Sequence, residues 1–490
     1  MDPTQTTLVE LRDAIATKQI SSQVVTRLYL DRIERCNGKI NAYHEVYAER
    51  ALDRAAMVDD GRLKGALAGV PLAVKDLLCT DYGCTTCSSR MLEQFRAPYT
   101  STAVRRLEEA GAIILGKTNM DEFAMGSSSE TCAFGPVCNP WDLDRVPGGS
   151  SGGSAAAMAA DLCAGALGSD TGGSIRQPAA LCGVVGMKPT YGRVSRWGLV
   201  AFASSLDQIG PFAHTVADVA LLLKVISGHD PLDSTSAPEP VPDDLDQVDL
   251  PVDPPRVGVA KQYLTDANDP AITAAIEEAI SVYRGSGATI VNIDLPHTEY
   301  GIPVYYVVAT AEASSNLARY DGVHYGHRAT DTDNLIDLYC RSRAEGFGDE
   351  VQRRIMLGTY ALSSGYYDAY YRSAMKVRRL IRNDFDAAFK RCDVILGPTT
   401  TGPAFRLGAK VDDPLEMYLN DVYTVNANLA GIAGISLPAG TAEVEGCRLP
   451  IGLQLLSRAF DEVRLLRFAR LYERQTEHHR IRPAPEGIKW

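Results

Sequence analysis

The sequence predicts an α/β fold, with helices packed around a buried sheet. Short apolar runs bounded by Gly and Pro, such as Gly69-Val70-Pro71-Leu72-Ala73-Val74-Lys75, alternate with segments whose apolar residues recur at helical spacing. Residues 148–186 are dense in Gly, Ser and Ala and poor in large side chains, which suits tight turns and close backbone approach. The AAAMAA run and the flanking apolar strands make this region a buried, ordered layer and not a flexible linker. The chain has 490 residues, 45% hydrophobic and 22% charged, so it can bury a large core without covalent staples.

The elements follow in order. Residues 7–60 read as helical, with Ser21 and Ser22 placed to cap a periodic segment at 24–33. After the strand-like run ending at Lys75 come a helix at 102–110 and a strand at 112–115. Beyond the Gly/Ser/Ala layer, residues 230–255 turn rich in Pro and Asp and read as an exposed connection unable to build a core. The pattern resumes with a strand at 256–260, a helix at 271–283 and a strand at 289–293. Residues 305–391 read as mostly helical, and a strand at 393–396 and a last helix at 462–475 follow.

Composition excludes several classes. Eleven cysteines, an odd number scattered from Cys36 to Cys447, read as reduced thiols and not as a disulfide framework. The opening MDPTQTTLVELRD has no basic stretch followed by an apolar run, so no secretory signal is expected. The best apolar stretch, 429–442, is short and broken by glycines and Pro438, so a soluble cytoplasmic protein is expected. The net charge of −12 disfavours a polyphosphate bound by this surface alone. Any RNA would be held mainly by another subunit.

Two Gly/Ser loops carry the candidate chemistry: Pro147-Gly-Gly-Ser150-Ser151-Gly-Gly-Ser154 and Ser169-Asp-Thr-Gly-Gly-Ser174-Ile-Arg-Gln-Pro178. Serine is a poor nucleophile until an adjacent base takes its proton. Backbone N–H groups of Thr171, Gly172, Gly173 and Ser174 could line an oxyanion hole, and a helix opening near Ile175 would add its positive end. None of the eight histidines lies beside these loops; His214 and His229 are nearest, in an ordinary helical segment and its end. A lysine can serve as base if burial leaves it neutral. Lys75 follows Leu72-Ala73-Val74, which would draw its ammonium into the core, although a lysine so placed can also snorkel to the surface.

The runs GGSSGGSAAA (148–157) and GSDTGGSIRQPAALCGVVGMKPTYGRVS (168–195) resemble the amidase signature family. The intervals of 75 residues from Lys75 to Ser150 and 24 from Ser150 to Ser174 match its Lys–cis-Ser–Ser pattern. The resemblance implies a mixed central sheet surrounded by helices and one domain over 1–490. It also implies that Ser174 is the acyl-forming nucleophile, that Ser150 relays the proton through a cis peptide, and that Lys75 is the final base. Within the family, SRWGLVAFASSLDQIGP, EGFGDEVQRRIMLGTYALSSGYYDAYYR and LNDVYTVNANLAGIAGISLP are similar to the glutamine-hydrolysing subunits of tRNA-dependent amidotransferases. That likeness is weaker between 230 and 350.

What it implies is specific. Tyr305, Arg354 and Asp421 would hold glutamine, with Arg354 pairing the α-carboxylate and Asp421 accepting from the α-ammonium. Arg353 is the adjacent rival of Arg354, and spacing does not separate them. This subunit would need no metal or other cofactor. In a heterotrimer, a B subunit would use ATP, Mg2+ and the released ammonia to amidate Glu-tRNA(Gln), and a small C subunit would clasp the two. The alternative is a free-standing amidase acting on other carboxamides, which would not need the Arg354/Asp421 pair.

Three other motifs are set aside. Residues 111–118 match the P-loop pattern, yet they follow a helical run and 112–115 are strand formers. Gly148-x-Ser150-x-Gly152 matches a hydrolase nucleophile elbow, but 142–147 makes a poor buried strand. Cys84, Cys87, Cys132 and Cys138 invite zinc, but the second pair has the wrong spacing.

Overall fold

The chain enters through two capped helices in a computed structural model that describes residues 3–252, 255–411 and 413–484. Thr7 and Glu10 form a reciprocal capping box on the helix Leu8–Ala16. The Ser21 hydroxyl accepts from the Val24 N–H to start the helix Ser22–Ile40. Asn41, at φ 55°, turns the chain out of that helix. The segment that follows is then not helical, as expected from sequence, but a strand, β1 (Tyr43–Val46). It forms because an open edge of the sheet pairs with it antiparallel.

The other strands are β2 (Pro71–Lys75), β3 (Ile113–Thr118), β4 (Gly165–Asp170), β5 (Val185–Lys188), β6 (Gln208–Ala213), β7 (Arg256–Ala260), β8 (Thr289–Ile293), β9 (Val394–Pro398), β10 (Ala433–Val444) and β11 (Cys447–Ser457). They make one eleven-stranded sheet in the order β1-β3-β2-β4-β6-β5-β10-β11-β9-β7-β8. β3, β2 and β4 run parallel, as do β9, β7 and β8, and the remaining pairs are antiparallel. Helices cover the sheet, so the mixed α/β architecture agrees with the sequence.

Two departures are physical. The 429–442 stretch, too short and broken to span a membrane and with no element assigned to it from sequence, ends a short helix at Ala430 and becomes the first strand of a long hairpin. The hairpin turns on Glu445 and Gly446, both at positive φ (51° and 82°), the conformation that matches strand twist. Residues 230–255 are also less exposed than their composition suggests: Asp230, Asp233, Ser236, Leu245 and Val248 are buried. Asp230 accepts from the Thr102 and Ser195 hydroxyls at 2.6 Å each, which ties the connection to the body. Residues 253–254 lie outside the described residues.

A second core positions one wall of the site. The helices Gly301–Asn316 and Asp349–Leu362 meet so closely at Gly358 that an added Cβ would lie 1.9 Å from the Thr310 carbonyl oxygen. Val308, Val351 and Phe385 are buried in the same core. No helix among the described residues is long and apolar enough to cross a membrane.

Candidate active site

β2 and β4 lie side by side and parallel, so both release their chains at the same edge of the sheet. Lys75 is the last residue of β2 and is fully buried. The 171–174 loop leaves β4 beside it, and the 148–151 loop crosses the same edge before the helix Gly152–Ala159. Lys75 Nζ donates to Ser150 Oγ at 2.7 Å and to Ser169 Oγ at 3.0 Å. The Gly149–Ser150 peptide is cis. The Ser151 N–H donates to the Ser174 carbonyl at 3.2 Å, which joins the two loops. Ser174 is 7% exposed, and among the described residues none hydrogen-bonds its hydroxyl.

Burial lowers the Lys75 pKa to about 7, against the opposing pull of the Asp121, Asp170 and Asp207 carboxylates. A large neutral fraction at physiological pH follows, so the amine carries a lone pair beside Ser150. The lysine is in the core and does not snorkel.

The oxyanion expectation needs correction at one residue. The Gly173 N–H donates to Asp170 Oδ1 at 2.8 Å, and the Ile175 and Arg176 N–H groups donate to Asp170 Oδ2. The start of the helix Arg176–Cys182 is therefore occupied by this chain's own carboxylate and does not point its free donors at a substrate. The N–H groups of Thr171, Gly172 and Ser174 have no acceptor among the described residues. Gly173 sits at φ +141°, and a Cβ there would lie 2.2 Å from Thr424 Oγ1, so only glycine fits.

Asp170 is itself held by Arg176, which is buried completely and pairs with it through Nε and Nη2 at 3.0 Å each. Burial alone would raise the Asp170 pKa, but the guanidinium wins and holds it below the usual range. Arg176 also donates to Gln454, Asn428 and the Thr424 carbonyl, binding the loop to the far half of the sheet. Replacing Arg176 by Met leaves Asp170 charged and unpaired in the core. The variant is expected to lose about 3–5 kcal/mol of stability, read as a large drop in the urea midpoint.

The expected glutamine residues stand on the next wall. Tyr305 packs over the loop, where a Cβ on Gly172 would lie 2.6 Å from its Cζ. Asp421 is buried and accepts from the Ser127 hydroxyl; burial raises its pKa to about 7, against the Ser127 hydrogen bond and the Arg354 charge. Arg354 is 3% exposed and Arg353 43% exposed; both pair with Glu350 and both line the same cavity. A cavity of about 410 Å³ opens here, lined by Ser127, Ser128, Glu350, Arg354, Lys410 and Tyr418 among others. Arg354 and Ser127 line it, Asp421 stands behind Ser127, and Tyr305, Asp421 and Ser174 are not in its lining.

Sequence reasoning missed several contributors. Gln177 accepts the Gly149 N–H and donates to the Ser127 carbonyl, both at 2.9 Å, bridging loop and cavity. The Asp121 N–H donates to the Ser150 carbonyl at 3.2 Å. Asp170 and Arg176 flank Ser174 at close spacing, a signal that was available; Ser127 and Glu350 come from distant segments and gave none. The motifs set aside have structural homes. Lys117 of the P-loop match lies buried in β3 and donates to the Leu78 carbonyl and Thr85. His214 is buried against Asp161, away from both loops. All eleven cysteines are free thiols.

Known proteins resemble the chain along nearly its whole length. A family model described as Amidase matches residues 24–466. The A subunit of glutamyl-tRNA(Gln) amidotransferase from Heliobacterium modesticaldum is 55% identical over 478 residues, 97% of each chain. The crystal structure of the protein of that name from Thermotoga maritima superposes with a TM-score of 0.82 at 40% identity, covering 100% of this chain and 99% of that one. The native peptide amidase of Stenotrophomonas maltophilia superposes with a TM-score of 0.83 at 32% identity, covering 99% of both chains. The chain belongs to the amidase family.

Proposed function

We propose that this chain is the glutaminase subunit of a tRNA-dependent amidotransferase, working as one domain in the cytoplasm. The observation that carries the reading is end-to-end likeness, at 55% identity, to a relative named as the A subunit of glutamyl-tRNA(Gln) amidotransferase. The site supports it with a buried lysine, its pKa lowered to about 7, on Ser150, with a buried arginine lining a cavity of about 410 Å³ and with a buried aspartate behind Ser127 of that lining.

The chemistry follows from these groups. Neutral Lys75 takes the Ser150 proton as Ser150 takes that of Ser174, and Ser174 Oγ bonds to the side-chain amide carbon of glutamine. The N–H groups of Thr171, Gly172 and Ser174 hold the oxyanion. As the C–N bond breaks, the proton returns through Ser150 to the leaving nitrogen, releasing ammonia. Water then attacks the γ-glutamyl ester on Ser174, by the same relay, and frees glutamate. No step calls on a metal or other cofactor in this subunit. ATP and Mg2+ would act at a B subunit that amidates Glu-tRNA(Gln), with a small C subunit completing a heterotrimer. The charge of −12 suits tRNA contact mainly through that partner.

A free-standing amidase shares this fold, as the peptide amidase structure illustrates. Substrate choice separates the two. A site that pairs an α-carboxylate and an α-ammonium leaves Arg354 and Asp421 unsatisfied by a simple aliphatic amide, worth about 10³- to 10⁴-fold in kcat/KM. Arg354→Ala and Asp421→Ala are each expected to raise the glutamine requirement about 10- to 100-fold, while amidation from free ammonia in the assembled complex stays at the wild-type rate. A wild-type preference for neutral aliphatic amides would give the free-standing amidase reading instead. Loss of the ammonia reaction in both variants would place their damage in assembly.

A further inference from the structure

Arg354 is held by a hub no motif announces. Its Nε donates to Glu350 Oε1 at 2.7 Å, one helical turn back on Asp349–Leu362. The same oxygen accepts from the Tyr418 hydroxyl at 3.0 Å, from the separate helix Pro414–Leu419. The other Glu350 oxygen accepts from Arg353. The rings of Tyr306 and Tyr418 stack at 3.8 Å, and the Arg354 guanidinium lies 5.3 and 5.4 Å from their centroids and 5.8 Å from that of Phe202.

This arrangement leaves a defined part of the guanidinium unused. Glu350 takes Nε, and among the described residues no acceptor takes Nη1 or Nη2, while Arg354 lines the 410 Å³ cavity. Those two nitrogens are the pair that grips a carboxylate end-on. A lone Glu350 against Arg354 would cancel its charge. Arg353 restores the balance, because two guanidiniums share one carboxylate and the cluster keeps a net positive charge. Both arginines line the cavity, but they have different work: the buried Arg354 keeps two nitrogens free, and the more exposed Arg353 offsets its anchor.

We propose that Glu350, with Tyr418, is a positioning residue that fixes Arg354 with its end-on edge toward the cavity and so sets selection for substrates bearing an α-carboxylate. The proposal rests on the reading that Arg354 pairs that carboxylate. Glu350 touches no reacting atom, so its loss acts on recognition of one substrate group.

The test uses the full chain assembled with its partner subunits and two substrates: glutamine and 4-aminobutanamide, which is glutamine without the α-carboxylate. Glu350→Gln and Tyr418→Phe keep side-chain shape and remove the charge or the hydroxyl. Glu350→Gln is expected to lower kcat/KM for glutamine about tenfold through KM, with kcat nearly unchanged and 4-aminobutanamide turnover unaffected. Tyr418→Phe is expected to do the same more weakly. A parallel fall with both substrates, or no change in their ratio, overturns the proposal. Arg354→Ala is the control that separates the two failures. If it collapses the ratio while Glu350→Gln does not, the positioning role is wrong and the clamp stands. If Arg354→Ala also leaves the ratio intact, the clamp reading falls and the proposal with it.

Discussion

Lys75→Ala is expected to reduce glutamine hydrolysis by about 10³- to 10⁴-fold, because it removes the base of the proposed proton relay. Lys75→Arg is expected to be no better, since a guanidinium stays protonated at any working pH and has no lone pair to offer Ser150. The sign of the pH dependence follows from burial. In the proposed relay Lys75 acts when neutral, and its neutral fraction rises as pH rises through about 7, so wild-type activity is expected to climb over that range. The opposing carboxylates of Asp121, Asp170 and Asp207 keep that pKa from falling further. In the proposed clamp Asp421 must be ionised to accept an α-ammonium, and burial raises its pKa to about 7 as well. The acid limb of kcat/KM is therefore steeper than a single titration. The limb of kcat is single, because bound glutamine holds Asp421 charged. Asp421→Asn should return the kcat/KM limb to one group while weakening binding. Steady-state kinetics across neutral pH read all of this, and wild-type-like turnover in Lys75→Arg would remove lysine from the mechanism.

Ser174→Ala is expected to cost about 10⁴-fold or more in glutamine hydrolysis, with the fold intact. The hydroxyl makes no hydrogen bond among the described residues, so its removal leaves no buried partner orphaned. The variant's urea midpoint should match the wild type within error. This contrasts with Arg176→Met, two residues on, where stability falls first. Ammonia-dependent amidation by the assembled Ser174→Ala complex should persist, since free ammonia bypasses this site.

How much of this was legible in the sequence depends on how local the cause is. The strand ending at Lys75, the helix after Ser101 and the closing helix from Glu462 each carry their own period and boundary signals, and all three stand where expected. β1 was hidden because four residues between two helices are too few for a period, and only the edge of β3 makes them a strand. The β10–β11 hairpin had a short turn at Glu445-Gly446 as its one cue, masked by glycines and prolines inside the strands. At the site, the Gly/Ser loops announced themselves by composition, and family likeness singled out Lys75, Arg354 and Asp421 from many equivalent residues. The Asp170 carboxylate that takes the Gly173 N–H lies three residues away, so that contact was open to a local reading; the Gln177 bridge and the Glu350 hub depend on contacts between distant segments, which spacing does not encode.

If a glutamine acyl group passes through Ser174, it can be caught there. The direct measurement is to quench the assembled wild-type enzyme during glutamine turnover and map the γ-glutamyl adduct by peptide mass spectrometry. The expected result is an ester on Ser174, absent from Ser174→Ala. An adduct on Ser150 or Ser151, or full turnover by Ser174→Ala, would contradict it.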